Sequence, residues 1–127
     1  MSTADDKRIA AIRGATTVDA DDAALIREAT RELLSRIVEA NELDTDDIIS
    51  VIFTVTTDLR AEFPAHAARE LGWMDVPLLC TIEMSVPGAL ERCIRVLLHA
   101  HTARPRARLR HIYIRDARTL RPDLSTD

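Results

Sequence analysis

The sequence predicts an α+β domain in which a mixed β-sheet is packed by one long helix and short helices. Three observations carry that reading. The chain has 127 residues, 46% of them hydrophobic, which suits one core and needs no disulfide or metal to fold. One window alone, ending near Ala40, sustains apolar residues at helical spacing, while several others are β-branched or alternate with a period of two. The order of elements (strand, long helix, strand, short helix, then strands) is not a strict βα repeat.

Residues 1–7 are a polar, acidic lead-in expected to be disordered; a single domain over 8–119 and a C-terminal tail over 120–127 follow. Arg8 to Arg13 reads as a short strand that stops at Gly14. Thr16, Thr17, Asp19, Asp21 and Asp22 are helix start signals, with the acids placed to complement the positive end of the helix dipole. Leu25, Ile26, Ala29, Thr30, Leu33, Leu34, Ile37 and Val38 then form one apolar stripe, with Arg27, Glu28, Arg31, Glu32, Arg36 and Glu39 on the other faces. Asn41 to Asp47 is a polar connection, and Ile48 to Thr56 is β-branched enough to be a buried strand. Phe63 to Leu71 is a short helix with Pro64 in its first turn and Gly72 at its end. Val76 to Ile82 is a strand and Pro87-Gly88 a turn. Leu90 to His101 alternates, with Arg92, Ile94, Val96 and Leu98 on one face and Cys93, Arg95, Leu97 and His99 on the other. Thr102 to Arg108 is a loop around Pro105, and Leu109 to Arg118 the last strand.

One main helix covers one face of such a sheet. Because the Leu90–His101 strand carries apolar residues on both faces, the second face is expected to be buried against other copies in a closed homo-oligomer.

The net charge of −4 argues against a general nucleic-acid or membrane-surface binder, and 3% aromatic residues against a base-stacking platform. Of the basic residues only Lys7 is not arginine, and seven arginines (104, 106, 108, 110, 115, 118 and 121) fall in the last stretch of the chain. Arginine's planar fork suits carboxylates and phosphates. No apolar run approaches a bilayer span and the N-terminus lacks a signal-peptide pattern, so a cytoplasmic location is expected. Cys80 and Cys93 are then expected to be reduced, and their spacing matches no zinc or redox motif.

Arg95, in the middle of an apolar strand, needs an anion, because burying an unpaired guanidinium is costly. Glu83 across the Pro87-Gly88 turn offers an internal ion pair; an anionic ligand is the other reading. Arg13 precedes a glycine, where the backbone can turn tightly beside a ligand. His99 and His101 share a strand face but lack a third ligand at a suggestive spacing, so exposed histidines are expected and no metal. Cys80 is expected as a neutral packed thiol rather than a nucleophile, since Glu83 would raise its pKa. Phosphate loops, nucleophile elbows and zinc-protease motifs are absent. A set of cations, one acid, the phenol of Tyr113 and an apolar lining suits a small polyanion whose reaction needs electrostatics and shape alone.

Several stretches carry a family resemblance, in order, across about residues 9–125. They are Ile12-Arg-Gly-Ala-Thr-Thr17, Thr57-Asp-Leu59 with Phe63-Pro64-Ala65, Ala68-Arg-Glu-Leu71 with Gly72-Trp73, Val76-Pro77 with Cys80, Glu83-Met84, Cys93-Ile-Arg-Val96, His111-Ile-Tyr113 and Leu120-Arg-Pro-Asp-Leu124. On these the chain resembles the AroH-class, Bacillus-type chorismate mutases. The resemblance implies a ferredoxin-related fold assembled as a pseudo α/β-barrel homotrimer. It implies a cofactor-free Claisen rearrangement of chorismate to prephenate, in the aromatic amino-acid branch of the shikimate pathway, in clefts between subunits. By resemblance, Arg95 stabilises the breaking ether oxygen, Arg13 and Tyr113 hold a carboxylate, and Cys80 and Glu83 meet the ring hydroxyl. Leu79, Thr81 and Ile82 run along the substrate, Phe63, Ala65, Leu78 and Leu120 form an apolar wall, and Arg69 and Arg121 are cations near the mouth. His66 stands where the family has a lysine and Leu79 where it has a threonine, and the turn at Gly72 is one residue shorter. A catalytically silent or deaminase-like trimer binding a small carboxylate is the alternative, and nucleic-acid binding through Arg104 to Arg121 is set against the acidic net charge.

Overall fold

The structure, a computed structural model, describes residues 6–124. Strands β1 (Arg8–Thr17), β2 (Ile48–Val55), β3 (Leu78–Ile82), β4 (Cys93–Thr102) and β5 (Ile112–Tyr113) form one mixed sheet in the order β3-β2-β4-β1-β5. Strand β4 is antiparallel to both β1 and β2, while β3 and β5 run parallel to their neighbours on the two edges. Helices α1 (Ala23–Ala40) and α2 (Ala65–Glu70) complete the α+β domain. Of the expected disordered lead-in, residues 1–5 lie outside the described residues; Lys7 is tied to Asp47 at 2.8 Å. Residues 125–127 of the tail also lie outside them. No helix among the described residues is long and apolar enough to cross a membrane.

Helix α1 begins where Asp22 accepts a hydrogen bond from the Leu25 N–H at 3.0 Å. Its stripe of Leu33, Leu34 and Ile37 packs with Ile12, Val51, Phe53, Val96, Leu98 and Ala68 in the main core. The long helix α1 lies wholly on this side. The opposite sheet face carries Ile9, Ala11 and Arg13 from β1, Leu97, His99 and His101 from β4, Ser50, Ile52 and Thr54 from β2, and Leu79 and Thr81 from β3. Leu90, Ala117 and Leu120 cover one end of it, over Ala15, Cys93 and Tyr113. The rest is bare: Ile9 is 66% and Leu79 60% exposed.

The strand expected to stop at Gly14 continues to Thr17. Gly14 makes no turn and faces α1, where an added Cβ would lie 2.8 Å from Ile37 Cδ1 and 3.1 Å from the Ile112 carbonyl oxygen. The missing side chain lets helix and sheet approach closely. The turns expected at Gly72 and Gly88 are present, with φ of +90° and +84°. Strand β3 starts only after Pro77, which lacks an N–H for the ladder. Strand β4 starts after Arg92, whose φ of 47° breaks the extended path and whose N–H is held by Asp58 at 2.9 Å.

The last strand shrinks from the expected Leu109–Arg118 to two residues. On one side Arg115, at φ 55°, turns the chain into a short 3₁₀ helix, Arg115–Thr119. On the other, Asn41 at the end of α1 takes both backbone groups of Arg110: its Oδ1 accepts from the N–H at 2.8 Å and its Nδ2 donates to the carbonyl at 2.9 Å.

Two substitutions test this packing by urea unfolding. Gly14→Ala should lower stability by about 1–3 kcal/mol, the usual range for overpacking. Asn41→Leu leaves the Arg110 N–H and carbonyl without their partner, while the Ile37 carbonyl keeps the Asn41 backbone N–H, and should cost about 2 kcal/mol or more.

Candidate active site

Alternation along β4 sends Arg95 to the bare face, between Thr54 on β2 and Ala15 on β1. Arg13 is its diagonal neighbour across β1, a separation of about 7–8 Å. Tyr113 flanks Ala15 from β5 and is buried under Ala117. The chain leaving β3 brings Glu83 to the same face, its N–H donating to the Val55 carbonyl at 2.9 Å. There the Thr54 hydroxyl donates to Glu83 Oε1 at 2.8 Å, and the same oxygen lies 3.5 Å from Arg95 Nε.

Arg95 is therefore not the buried ion of the sequence expectation. Its side chain is 41% exposed, while its Nε is buried and faces Glu83 without completing a hydrogen bond. Leaving a buried donor unpaired costs about 1–3 kcal/mol. Among the described residues no oxygen accepts from its terminal nitrogens. Each sequence reading is thus partly met: Glu83 supplies the opposite charge at one edge and the other edge remains open to an anion. Arg13, unlike Arg95, has no ion-pair partner among the described residues, whereas Arg121 beside it is taken by Asp123 at 2.9 Å.

A second group of the expected residues lies elsewhere. Phe63, His66, Cys80, Thr81 and Ile82 line a groove of about 330 Å³ between the edge strand β3 and the 59–66 segment. Asp21 Oδ1 holds that segment by accepting from the N–H groups of Arg60 and Ala61 at 2.8 and 2.9 Å. Glu62 organises its end: the Phe63 N–H at 2.8 Å, Arg27 at 2.6 Å and His66 at 2.7 Å all converge on its carboxylate, which they hold below the usual carboxylate range. His66, which stands where the family has a lysine, thus lies beside an acid.

The fold gives further expected residues these surroundings. Cys80 pairs with Phe53 and turns to the helix side, so within one chain its thiol and the Glu83 carboxylate lie on opposite faces of the sheet. Burial pushes the Cys80 thiol above its ordinary value, which keeps it protonated. Leu78 and Ala65 both pack against the main core, whereas Leu120 packs at the other end with Ala15, Cys93 and Tyr113, so within one chain Leu120 stands apart from the rest of the expected wall. Arg69 is committed to the turn after α2, donating to the carbonyls of Trp73 and Met74. His99 approaches Ser50 at 3.5 Å, and no group of three or more metal-ligating side chains gathers among the described residues.

Sequence reasoning missed Thr54, the residue that fixes Glu83, because a threonine in a β-branched strand carries no signal of its own. The larger groove, at the opposite end of the sheet, is lined by Lys7, Arg104, Arg108 and Arg110 but also by Glu42, Asp44 and Asp47. Lys7 is paired with Asp47, while Arg104 reaches the Ala40 carbonyl and Glu42, so much of its charge is already matched.

Comparison with known proteins bears on this arrangement. Residues 9–124 match the family model described as chorismate mutase type I. The chain is 51% identical over 116 residues to a curated chorismate mutase AroH of Thermus thermophilus, covering 91% of this chain and 95% of that one. It is 45% identical over 118 residues to the chorismate mutase AroH of Bacillus subtilis, covering 92% and 93%. A solved chorismate mutase from Clostridium thermocellum superimposes with a TM-score of 0.86 at 49% identity, over 87% of this chain and 98% of that one. By its match over nearly the whole chain, the protein belongs to the chorismate mutase type I family.

Proposed function

We propose that the protein converts chorismate to prephenate in aromatic amino-acid biosynthesis, at sites formed between copies in a homotrimer. The observation that carries this is the row of Arg13 and Arg95 on the bare sheet face, with the open edge of Arg95 beside a clamped Glu83. In the rearrangement the ether C–O bond breaks as a C–C bond forms and the double bonds shift, with no proton gained or lost. Negative charge grows on the ether oxygen as that bond lengthens. A fixed cation there stabilises the transition state more than the bound substrate, which is the condition for a higher kcat.

Arg95 supplies that cation through its terminal nitrogens. Glu83 does two things: it meets the ring hydroxyl, and it holds the Nε edge so that the guanidinium keeps one orientation. Cys80 contributes to the hydroxyl contact through its backbone, since its thiol faces the core. Arg13 and Tyr113 take a carboxylate, with Leu120 packed against the Tyr113 cluster and Arg121 at the rim. Phe63 and Ala65, with Leu79, Thr81 and Ile82, form the wall that favours the folded conformer of the substrate. His66 occupies the rim position where the family has a lysine.

A second copy is needed because the cation row and the Phe63 groove do not face each other within one chain. The row lies on the bare face along β1 and β4, and the groove lies at the far edge of the sheet, between β3 and the 59–66 segment. Burying the bare face of one copy against the β3 edge of the next brings the two together and covers Ile9 and Leu79. Closing three such contacts gives the pseudo α/β barrel; the number three rests on the family resemblance.

The test follows loss of chorismate absorbance. Wild-type protein should consume chorismate rapidly, and Arg95→Ala should be slower by about 10²- to 10³-fold, the usual loss for one preorganised donor. Retained activity in a folded Arg95→Ala protein would remove Arg95 from the mechanism. Tight prephenate binding with no turnover by the wild type would favour the silent carboxylate-binding alternative.

A further inference from the structure

Strand β5 is two residues long, yet it carries Tyr113 and sets where that phenol stands relative to Arg13 on β1. Two short ladder pairs, Gly14 with Ile112 and Ala15 with Tyr113, join the strands. Beyond them the ladder continues in an unusual way: the backbone N–H of Arg13 donates to the Nδ1 of His111 at 3.0 Å, so a side chain replaces the next carbonyl.

A backbone N–H can only donate, so this bond requires Nδ1 without a proton and places the ring's hydrogen on Nε2. We propose that His111, in this tautomer, is a positioning residue that fixes β5 against β1 and thereby holds Tyr113 and Arg13 at the spacing of one carboxylate. The inference rests on the proposed chorismate site and deepens it.

The surroundings favour the same form. Burial lowers the His111 pKa below 6.5, and the nearby positive charges of Arg13 and Arg121 lower it further. The charged and titratable groups around it are Arg13 from β1, Arg110 and Tyr113 flanking it in the chain, and Arg121 and Asp123 from the C-terminal segment. Asp123 is drawn to Arg121 at 2.9 Å. Protonating His111 sets two donors against each other at the Arg13 N–H and adds a cation beside two arginines. Because the folded-state pKa is depressed, the stabilisation His111 gives is complete above 6.5 and is lost as pH falls through the lower folded value.

Three proteins test this: wild type, His111→Asn and His111→Phe. Asparagine offers an oxygen where Nδ1 stood and does not titrate; phenylalanine offers no acceptor. In the wild type, kcat/KM should fall about tenfold as His111 protonates, mainly through KM, because a carboxylate contact made in both ground and transition states is loosened. The Asn variant should stay within about threefold of wild type at neutral pH and lose this acid limb, while the Phe variant should show a raised KM at every pH. An acid limb unchanged in His111→Asn would assign it to another group and overturn the proposal. A second readout needs no turnover: by NMR the Arg13 amide should shift with the titration of the His111 ring and should not titrate in His111→Asn. An Arg13 amide indifferent to His111 protonation would overturn the positioning role even in a fully active enzyme. Loss of chorismate turnover in the wild type, with the amide coupling intact, would instead overturn only the functional reading.

Discussion

A sheet has two faces, and in this one the long helix covers only one of them; a single 3₁₀ turn, Arg115–Thr119, caps one end of the other. The close approach of α1 at Gly14 seals the core side, with Leu33, Leu34 and Ile37 against Ile12, Phe53, Val96 and Leu98. Everything on the other side follows from having no second layer. That face carries apolar residues that water should not see and arginines that a core should not hold, a combination that suits a surface to be closed by another copy around a polar ligand. The residues proposed for chemistry lie on it because the period of two in β1 and β4 sends Arg13 and Arg95 there together.

The energetic cost of placing Arg95 on such a face is managed by arrangement rather than by neutralisation. Thr54 holds Glu83, and Glu83 faces only the Nε edge at 3.5 Å. A full bidentate pair would satisfy the guanidinium and leave it nothing for a substrate. The incomplete pair leaves its outer edge free, and the protein meets the cost through the core beneath it. Arg13 is kept open in the same way, by directing Asp123 to Arg121 instead.

Much of this was legible in the sequence, and the parts that were not share a physical cause. The long helix, the strand alternation that separates Val96 from Arg95, and the turns at Gly72 and Gly88 are local patterns and appear where they were expected. Gly14 reads as a stop in the sequence because its role depends on Ile37, which is far away in the chain. Strand β5 was overextended because Asn41 and the left-handed Arg115 limit it, and neither leaves an apolar signature. The family resemblance supplied the site residues but not their faces. Pairing β3 with β2 turns Cys80 inward and lets Glu83 reach outward, and the turn after α2 takes Arg69. Thr54 and His111 act through single hydrogen bonds to residues distant in sequence, which no spacing rule reports.

The central claim is that one site draws its cations from one copy and its apolar groove from another. Subunit complementation tests it most directly: Arg95→Ala and Phe63→Glu proteins, each inactive alone, are unfolded together, refolded as a mixture and assayed on chorismate. Sites that combine an intact Arg95 from one copy with an intact Phe63 from another would restore about a quarter of wild-type activity in randomly mixed oligomers. A mixture that forms hybrid oligomers yet stays inactive would place both residues in the same chain's site and contradict the shared-site arrangement.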